Sequence, residues 1–171
     1  NRIRKVNASD QKISTVAGGG FGGYNGDGIT ASTAHLNKLS GVFAAGGGDV
    51  LIADTRGYRI RKVTGATGLI STIAGTGEMG YNGDGVPADT AMVSGPVGVY
   101  RDSSGDVYIA DTSNNRVRKI SALNGNISTI AGTGLAPFNG DGISAATANI
   151  RPDRVCVAPN GDIYIADSFS H

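Results

Sequence analysis

Residues 107–134 read VYIADTSNNRVRKISALNGNISTIAGTG. Three runs in this stretch have the chemistry of β-strands. Residues 107–110 are apolar and β-branched or aromatic, 116–120 alternate cationic with aliphatic side chains, and 127–131 are again β-branched. The links between them, Asp-Thr-Ser-Asn-Asn and Asn124-Gly125-Asn126, are rich in residues that tolerate positive φ. Both links are therefore predicted to reverse the chain as hairpins.

The stretch recurs. Residues 50–77 read VLIADTRGYRIRKVTGATGLISTIAGTG, RIRKV at 2–6 and ISTVAGG at 13–19 make an earlier partial copy, and IYIAD at 163–167 opens a later one. Arg2, Arg59 and Arg116 are 57 residues apart, as are Asn25, Asn82 and Asn139, each of which begins Asn-Gly-Asp-Gly. A fixed period of this size marks one supersecondary unit stacked on copies of itself. The 171 residues equal three such periods.

Each period holds four strand-like runs. The first falls at 42–45, 97–101 and 154–158, the second at 50–53, 107–110 and 163–166. The third is the Arg-x-Arg-Lys run and the fourth is Ile-Ser-Thr-Ile/Val-Ala. No segment shows sustained helical periodicity; the octets at 29–36, 86–93 and 143–150 are long enough only for a turn or two. Many short strands with Gly-rich turns define an all-β repeat architecture. The expected organisation is one repeat segment over 1–171. It has a partial blade at 1–17, full blades at about 40–75 and 95–132, and a partial blade at 152–171.

The pattern DVYIADTSNNRVRKI, followed by ISTIAGTG and the NGDG link, resembles the NHL repeat of the longer, glycine-rich type. The resemblance extends over nearly the whole chain in three registers. It implies a β-propeller of four-stranded antiparallel blades, often six to a ring, in a family whose functions range from protein and RNA binding to sensing and a few enzymes. Function has therefore to be read from sites rather than from the fold.

Composition narrows the choice. Net charge is +1, and nine of the 15 Lys and Arg residues are spread by the repeat over the three Arg-x-Arg-Lys runs, so no basic tract argues for nucleic acid. These cations are expected to coat strand faces and pair with aspartates such as Asp54 and Asp111, five residues before Arg59 and Arg116. Cys156, the one cysteine, lies in the apolar run RVCVA and is expected to be buried and inert. No apolar run is long enough to span a bilayer. Sequons at Asn7-Ala8-Ser9 and Asn126-Ile127-Ser128 are what chance gives in a chain this rich in Asn, Ser and Thr; the compartment is left open, with extracellular slightly favoured over cytoplasmic.

Candidate chemistry is sparse. The NGDG links place Asp27, Asp84 and Asp141 where they could contribute to calcium sites. They lack the spaced carboxylates and closing Glu of an EF-hand, and the preferred reading is that these aspartates cap the short turn after them. A metal-dependent lyase or lactonase would need converging His and carboxylate ligands, and the two dispersed histidines, His35 and His171, with the single glutamate, Glu78, do not supply that cluster. The expectation is thus a non-catalytic protein- or peptide-binding or scaffold module without cofactor, with a metal-dependent lyase- or lactonase-like enzyme or an RNA-binding propeller as the alternatives. Its candidate anchors lie where the repeats differ, in the loops after the IAD runs: Arg56, Tyr58, Asn114, Asn115, Phe169 and His171. The complementary partial blades lead to a further expectation, head-to-tail association of two copies into a six-bladed homodimer, with covalent closure as half of a longer chain and a head-to-tail filament as the alternatives.

Overall fold

A computed structural model of the chain describes residues 1–168; the expected anchors Phe169 and His171 lie outside the described residues. Among the latter, all regular structure is β-strand or single 3₁₀ turns, and no helix is long and apolar enough to cross a membrane. The strands are β1 (Ile3–Val6), β2 (Ile13–Ala17), β3 (Ile29–Thr30), β4 (Leu39–Ala44), β5 (Val50–Asp54), β6 (Arg59–Val63), β7 (Leu69–Ala74), β8 (Pro96–Arg101), β9 (Val107–Asp111), β10 (Arg116–Ile120), β11 (Ile127–Ala131), β12 (Pro152–Val157) and β13 (Ile163–Asp167).

The strands form antiparallel sheets in sequence order. One is β4-β5-β6-β7, with the two-residue β3 added outside β7. A second is β8-β9-β10-β11. Hairpins β1-β2 and β12-β13 stand at either end. The registers repeat from unit to unit: Asp54 opposes Arg59 and Asp111 opposes Arg116, while Arg61, Arg118 and Arg4 each follow a bulge that breaks the pairing with the outer strand. The Ile-Ser-Thr strands were expected outermost. Instead β7 carries β3 on its outer edge, because the octet at 29–36 begins as a strand before its 3₁₀ turn at Ala31–Thr33, and β11 is flanked in the same way, the Gly85 amide donating to the Ile127 carbonyl and the Ile127 amide to the Val86 carbonyl.

The sheets stack face to face, which explains why the IAD strands are apolar throughout rather than alternating. Along β5, Ile52 packs toward Ala17, Leu36 and Ile70, whereas Leu51 and Ala53 pack toward Val99, Ile109 and Ile127 of the next sheet. A third apolar layer joins Tyr108, Val117 and Ala131 to Val155. Burying one such side chain is worth about 1.5–3 kcal/mol, so these shared layers hold neighbouring sheets together. The inner strands approach closely: a Cβ on Gly41 would lie 2.3 Å from the Val97 carbonyl oxygen, so no larger residue fits there.

Cys156 departs from expectation. It is exposed, because the face of β12 that carries it has no following sheet to cover it. The corresponding residues of β4 and β8, Phe43 and Tyr100, meet edge to face at 4.9 Å.

Candidate functional site

The hairpin loops after β5 and β9 and the long links after β7 and β11 emerge on one face. Asp54 pairs with Arg59 on one side and Leu39 on the other, and Ile60 pairs with Ala74, so all these strand ends coincide. Each hairpin loop is a 3₁₀ turn closed by a left-handed residue, Tyr58 (φ 49°) in one and Asn115 (φ 52°) in the next. Asparagine adopts this conformation readily; a bulky aromatic residue does so only under strain.

The loops are held from both sides. The Thr55 hydroxyl donates to the Pro96 carbonyl (2.8 Å) and that of Thr112 to the Pro152 carbonyl (2.6 Å), so each loop is tied to the next inner strand. The Arg56 and Ser113 amides donate to the carbonyls of Asn37 and Ser94. Asp54 and Asp111 are fully buried beneath the loops and accept from the Asn37 (2.6 Å) and Ser94 (2.7 Å) amides. Burial pushes both carboxyls up to about 6, against the opposing pull of these hydrogen bonds and of the nearby arginines. Asn114 adds a second donor to Asp111 (2.8 Å). Glycine replaces it at position 57, and Asp54 Oδ2 is left without a hydrogen-bond partner.

The expected pairing of Asp54 with Arg59 and of Asp111 with Arg116 is not what the side chains do. Arg59 and Arg116 turn outward and donate to the Thr76 and Thr133 carbonyls (2.6 and 2.8 Å). The arginine near Asp111 is Arg118, at 3.6 Å. Nor do Arg61 and Arg118 coat a surface: both are fully buried. Arg61 donates to Asp27 (2.7 Å) and the Gly26 carbonyl, and Arg118 to Asp84 (2.9 Å) and the Gly83 carbonyl. Asp27 and Asp84 are therefore anion partners of a buried cation rather than turn caps. Tyr24 completes the brace, with the guanidinium carbons of Arg59 and Arg61 4.0 and 5.0 Å from its ring centroid; Tyr81 does the same for Arg116 and Arg118.

Link geometry depends instead on the asparagine of each NGDG. The Asn82 carboxamide accepts from the Met92 amide (2.8 Å) and donates to the Thr90 carbonyl (3.0 Å); Asn25 and Asn139 repeat both bonds. The signal that could have revealed this was the strict 57-residue recurrence of Asn together with the small-residue octet after it.

Of the candidate anchors, Asn114 is engaged internally, donating to the Gly80 carbonyl and Asp111, and Asn115 donates to the Gly134 carbonyl. The Arg56 side chain is exposed and Tyr58 is half-buried beside it in the same loop. Asp141, in the last link, is exposed. Among the described residues, no three His, Cys, Asp or Glu side chains converge on a point that could hold a metal ion.

Comparison with known proteins agrees with this architecture. The NHL repeat model matches residues 93–120. The chain is 32% identical over 104 residues to the Arabidopsis thaliana protein SUPPRESSOR OF QUENCHING 1, chloroplastic, covering 61% of this chain and 10% of that protein. It is 28% identical over 131 residues to NHL repeat-containing protein 2 of Bos taurus, covering 71% and 18%. The chain thus spans less than a fifth of the length of these relatives. Among solved structures, a Bacteroides thetaiotaomicron protein of unknown function superposes with a TM-score of 0.72 at 19% identity, over 97% of this chain and 39% of that one. An auxiliary nutrient binding protein of the same organism gives 0.67 at 16%, over 97% and 40%. Virginiamycin B lyase of Staphylococcus aureus gives 0.56 at 16%, over 98% and 42%. At these identities the likeness is one of fold. The NHL repeat signature is thus matched over 93–120, and the strand registers around it recur at the same spacing on either side.

Proposed function

We propose that this chain is a non-catalytic binding or scaffold module that takes a protein or peptide ligand on the face formed by the hairpin loops, with Arg56 and Tyr58 as anchors. One observation carries the reading. Successive loops share one backbone, yet the left-handed position is filled by an asparagine that suits it in one loop and by a strained tyrosine in the other. Strain of this kind is retained where the side chain has work to do, and arginine and tyrosine are the residue types that dominate binding hot spots. The ties from Thr55 and Thr112 to neighbouring strands keep the loops preorganised, which lowers the entropy cost of docking.

A lyase or lactonase activity would have to arise on the same face. The similarity to virginiamycin B lyase reaches only the fold, at 16% identity, and metal-assisted chemistry would call for a ligand cluster that the described residues do not form. A net charge of +1 gives RNA binding no electrostatic footprint.

The test is selection of a phage-displayed random peptide library on the immobilised chain, with enriched peptides retitrated against Arg56→Ala. Peptides that bind the parent roughly ten times more tightly than the variant support the reading. Failure to enrich any peptide, or enrichment of peptides indifferent to the substitution, overturns it.

A further inference from the structure

The seam between the two whole sheets is packed along most of its length, but it opens toward the strand ends remote from the hairpin loops. A cleft of about 200 Å³ lies there, walled by Leu51 and Ile73 of one sheet and Val107 and Ile120 of the next, with Lys62 and Arg101 beside them. Strand register fixes its position: Leu51 opposes Lys62 and Arg101 opposes Val107, away from Asp54 and Asp111. Arg101 breaks the repeat. Its counterparts, paired in the same way with the opening residue of the next strand, are Ala44 in β4 and Val157 in β12. The fold therefore needs only an aliphatic side chain at this place, not a cation.

The acids nearby are already occupied. Asp49 accepts from Lys62 (2.8 Å) and the Gly65 amide (2.9 Å). Asp102 accepts from the Ser104 and Tyr108 hydroxyls (2.7 and 3.0 Å) and the Asp106 amide, and Asp106 from Lys119 (2.9 Å) and the Ala122 amide. The Asp49 carboxyl is held below its usual range first by the Lys62 hydrogen bond, and Arg101 adds only a lesser pull. Arg101 itself makes no hydrogen bond or ion pair with any described residue. The β8–β9 turn stays clear of it: its Nη2 lies so near Gly105 that a Cβ there would stand 3.3 Å away.

We propose that this cleft binds a small monocarboxylate with an apolar body. The planar guanidinium of Arg101 offers paired donors that match the two oxygens of a carboxylate. Lys62, with three donors and only Asp49 to receive them, supplies a further contact. The hydrocarbon part of the ligand lies between Leu51, Ile73, Val107 and Ile120. The two halves of the cleft select together. Aliphatic walls gain nothing from a fully hydrated anion such as phosphate, and a neutral apolar ligand leaves the guanidinium without an acceptor. Volume sets the size: at about 30 Å³ for each water displaced, the cleft admits a short acyl chain and excludes a nucleotide or a lipid.

The cleft lies at the other end of the sheets from the hairpin loops, so the proposal stands apart from the ligand face and is tested separately. The probe is hexanoate, titrated into the chain and followed in the ¹H–¹³C spectrum of the methyl groups. Saturable shifts are expected at Leu51, Ile73, Val107 and Ile120, with 1-hexanol binding at least about tenfold more weakly. That contrast is read on the parent chain and needs no variant. Arg101→Gln is expected to weaken hexanoate about tenfold and to leave 1-hexanol unchanged, while Arg101→Lys, which keeps the charge without the fork, falls between. Absence of saturable shifts at those methyls, equal binding of hexanoate and 1-hexanol, equal saturation by inorganic phosphate, or full hexanoate affinity in Arg101→Gln would each overturn the proposal.

Discussion

Arg118, fully buried within β10, reaches 34 residues back along the chain to the carboxylate of Asp84, 2.9 Å away in the link that leads into its own sheet. The two ends of this contact are not equivalent: the arginine side chain has no solvent access, whereas that of Asp84 is 38% exposed. Removing Asp84 leaves a cation that cannot reach water with only the Gly83 carbonyl and the more distant Asp111 carboxyl, whereas removing the cation leaves Asp84 an acid that can reach water. Asp84→Ala is therefore expected to cost about 2–4 kcal/mol, and the shape-preserving Arg118→Met distinctly less. Urea denaturation midpoints of the two variants check the order.

Asn82 closes its link with two hydrogen bonds, from the Met92 amide and to the Thr90 carbonyl. Asn82→Ala leaves both backbone groups without that partner and is expected to destabilise by about 1–3 kcal/mol. The local signature is accelerated hydrogen exchange at the Met92 amide, with the amides of β10 less affected.

Stability should also respond to pH in two opposed windows. Asp54 and Asp111 have folded values near 6 against an ordinary 3.8, so the fold binds their protons more readily than the unfolded chain does, and each costs stability as pH rises from about 4 to about 6. Hydrogen bonding and ion pairing lower the carboxyls of Asp49 and Asp106, mainly through Lys62 for the first and the Ala122 amide for the second; their contribution is lost as pH falls below about 4. Maximum stability is expected on the acid side of neutrality. Asp54→Asn keeps the acceptor for the Asn37 amide and removes the titration, so relative to the parent it should gain up to roughly 3 kcal/mol between pH 4 and pH 7. Thermal melts across that range provide the check.

Tyr58→Asn is expected to raise the unfolding free energy by about 1 kcal/mol, because asparagine relieves the left-handed strain. The same variant should lose affinity for any peptide selected on the loop face. A variant that is neither more stable nor weaker in binding would remove the reason for placing an anchor there.

The strands were legible because β-branched runs and Gly/Asn links recur at one spacing, and β6, β9, β10 and β11 fall within a residue of where the pattern places them. The inner strands β4 and β12 begin two or three residues before their apolar runs, since Leu39 and Pro152 pair with Asp54 and Asp167 at the edge. Arg61 and Arg118 were not legible as core residues. Local sequence shows an alternating cationic strand, and the acid that accepts each lies 34 residues earlier, reached only once the sheets stack. For the same reason Cys156 looked buried, since its apolar neighbours do not reveal which face lacks a covering sheet. The strain at Tyr58 was equally invisible, because it belongs to φ and not to composition.

Every apolar layer lies between two sheets, so no blade possesses a core of its own. Cutting the chain at a sheet boundary would bare one side of a layer, whereas excising a whole 57-residue period from anywhere in the interior would rejoin equivalent surfaces. The architecture is therefore indifferent to where a duplication starts and intolerant of any that is not a whole number of periods. Such a protein can change size by copying, one blade at a time, without redesigning its interior.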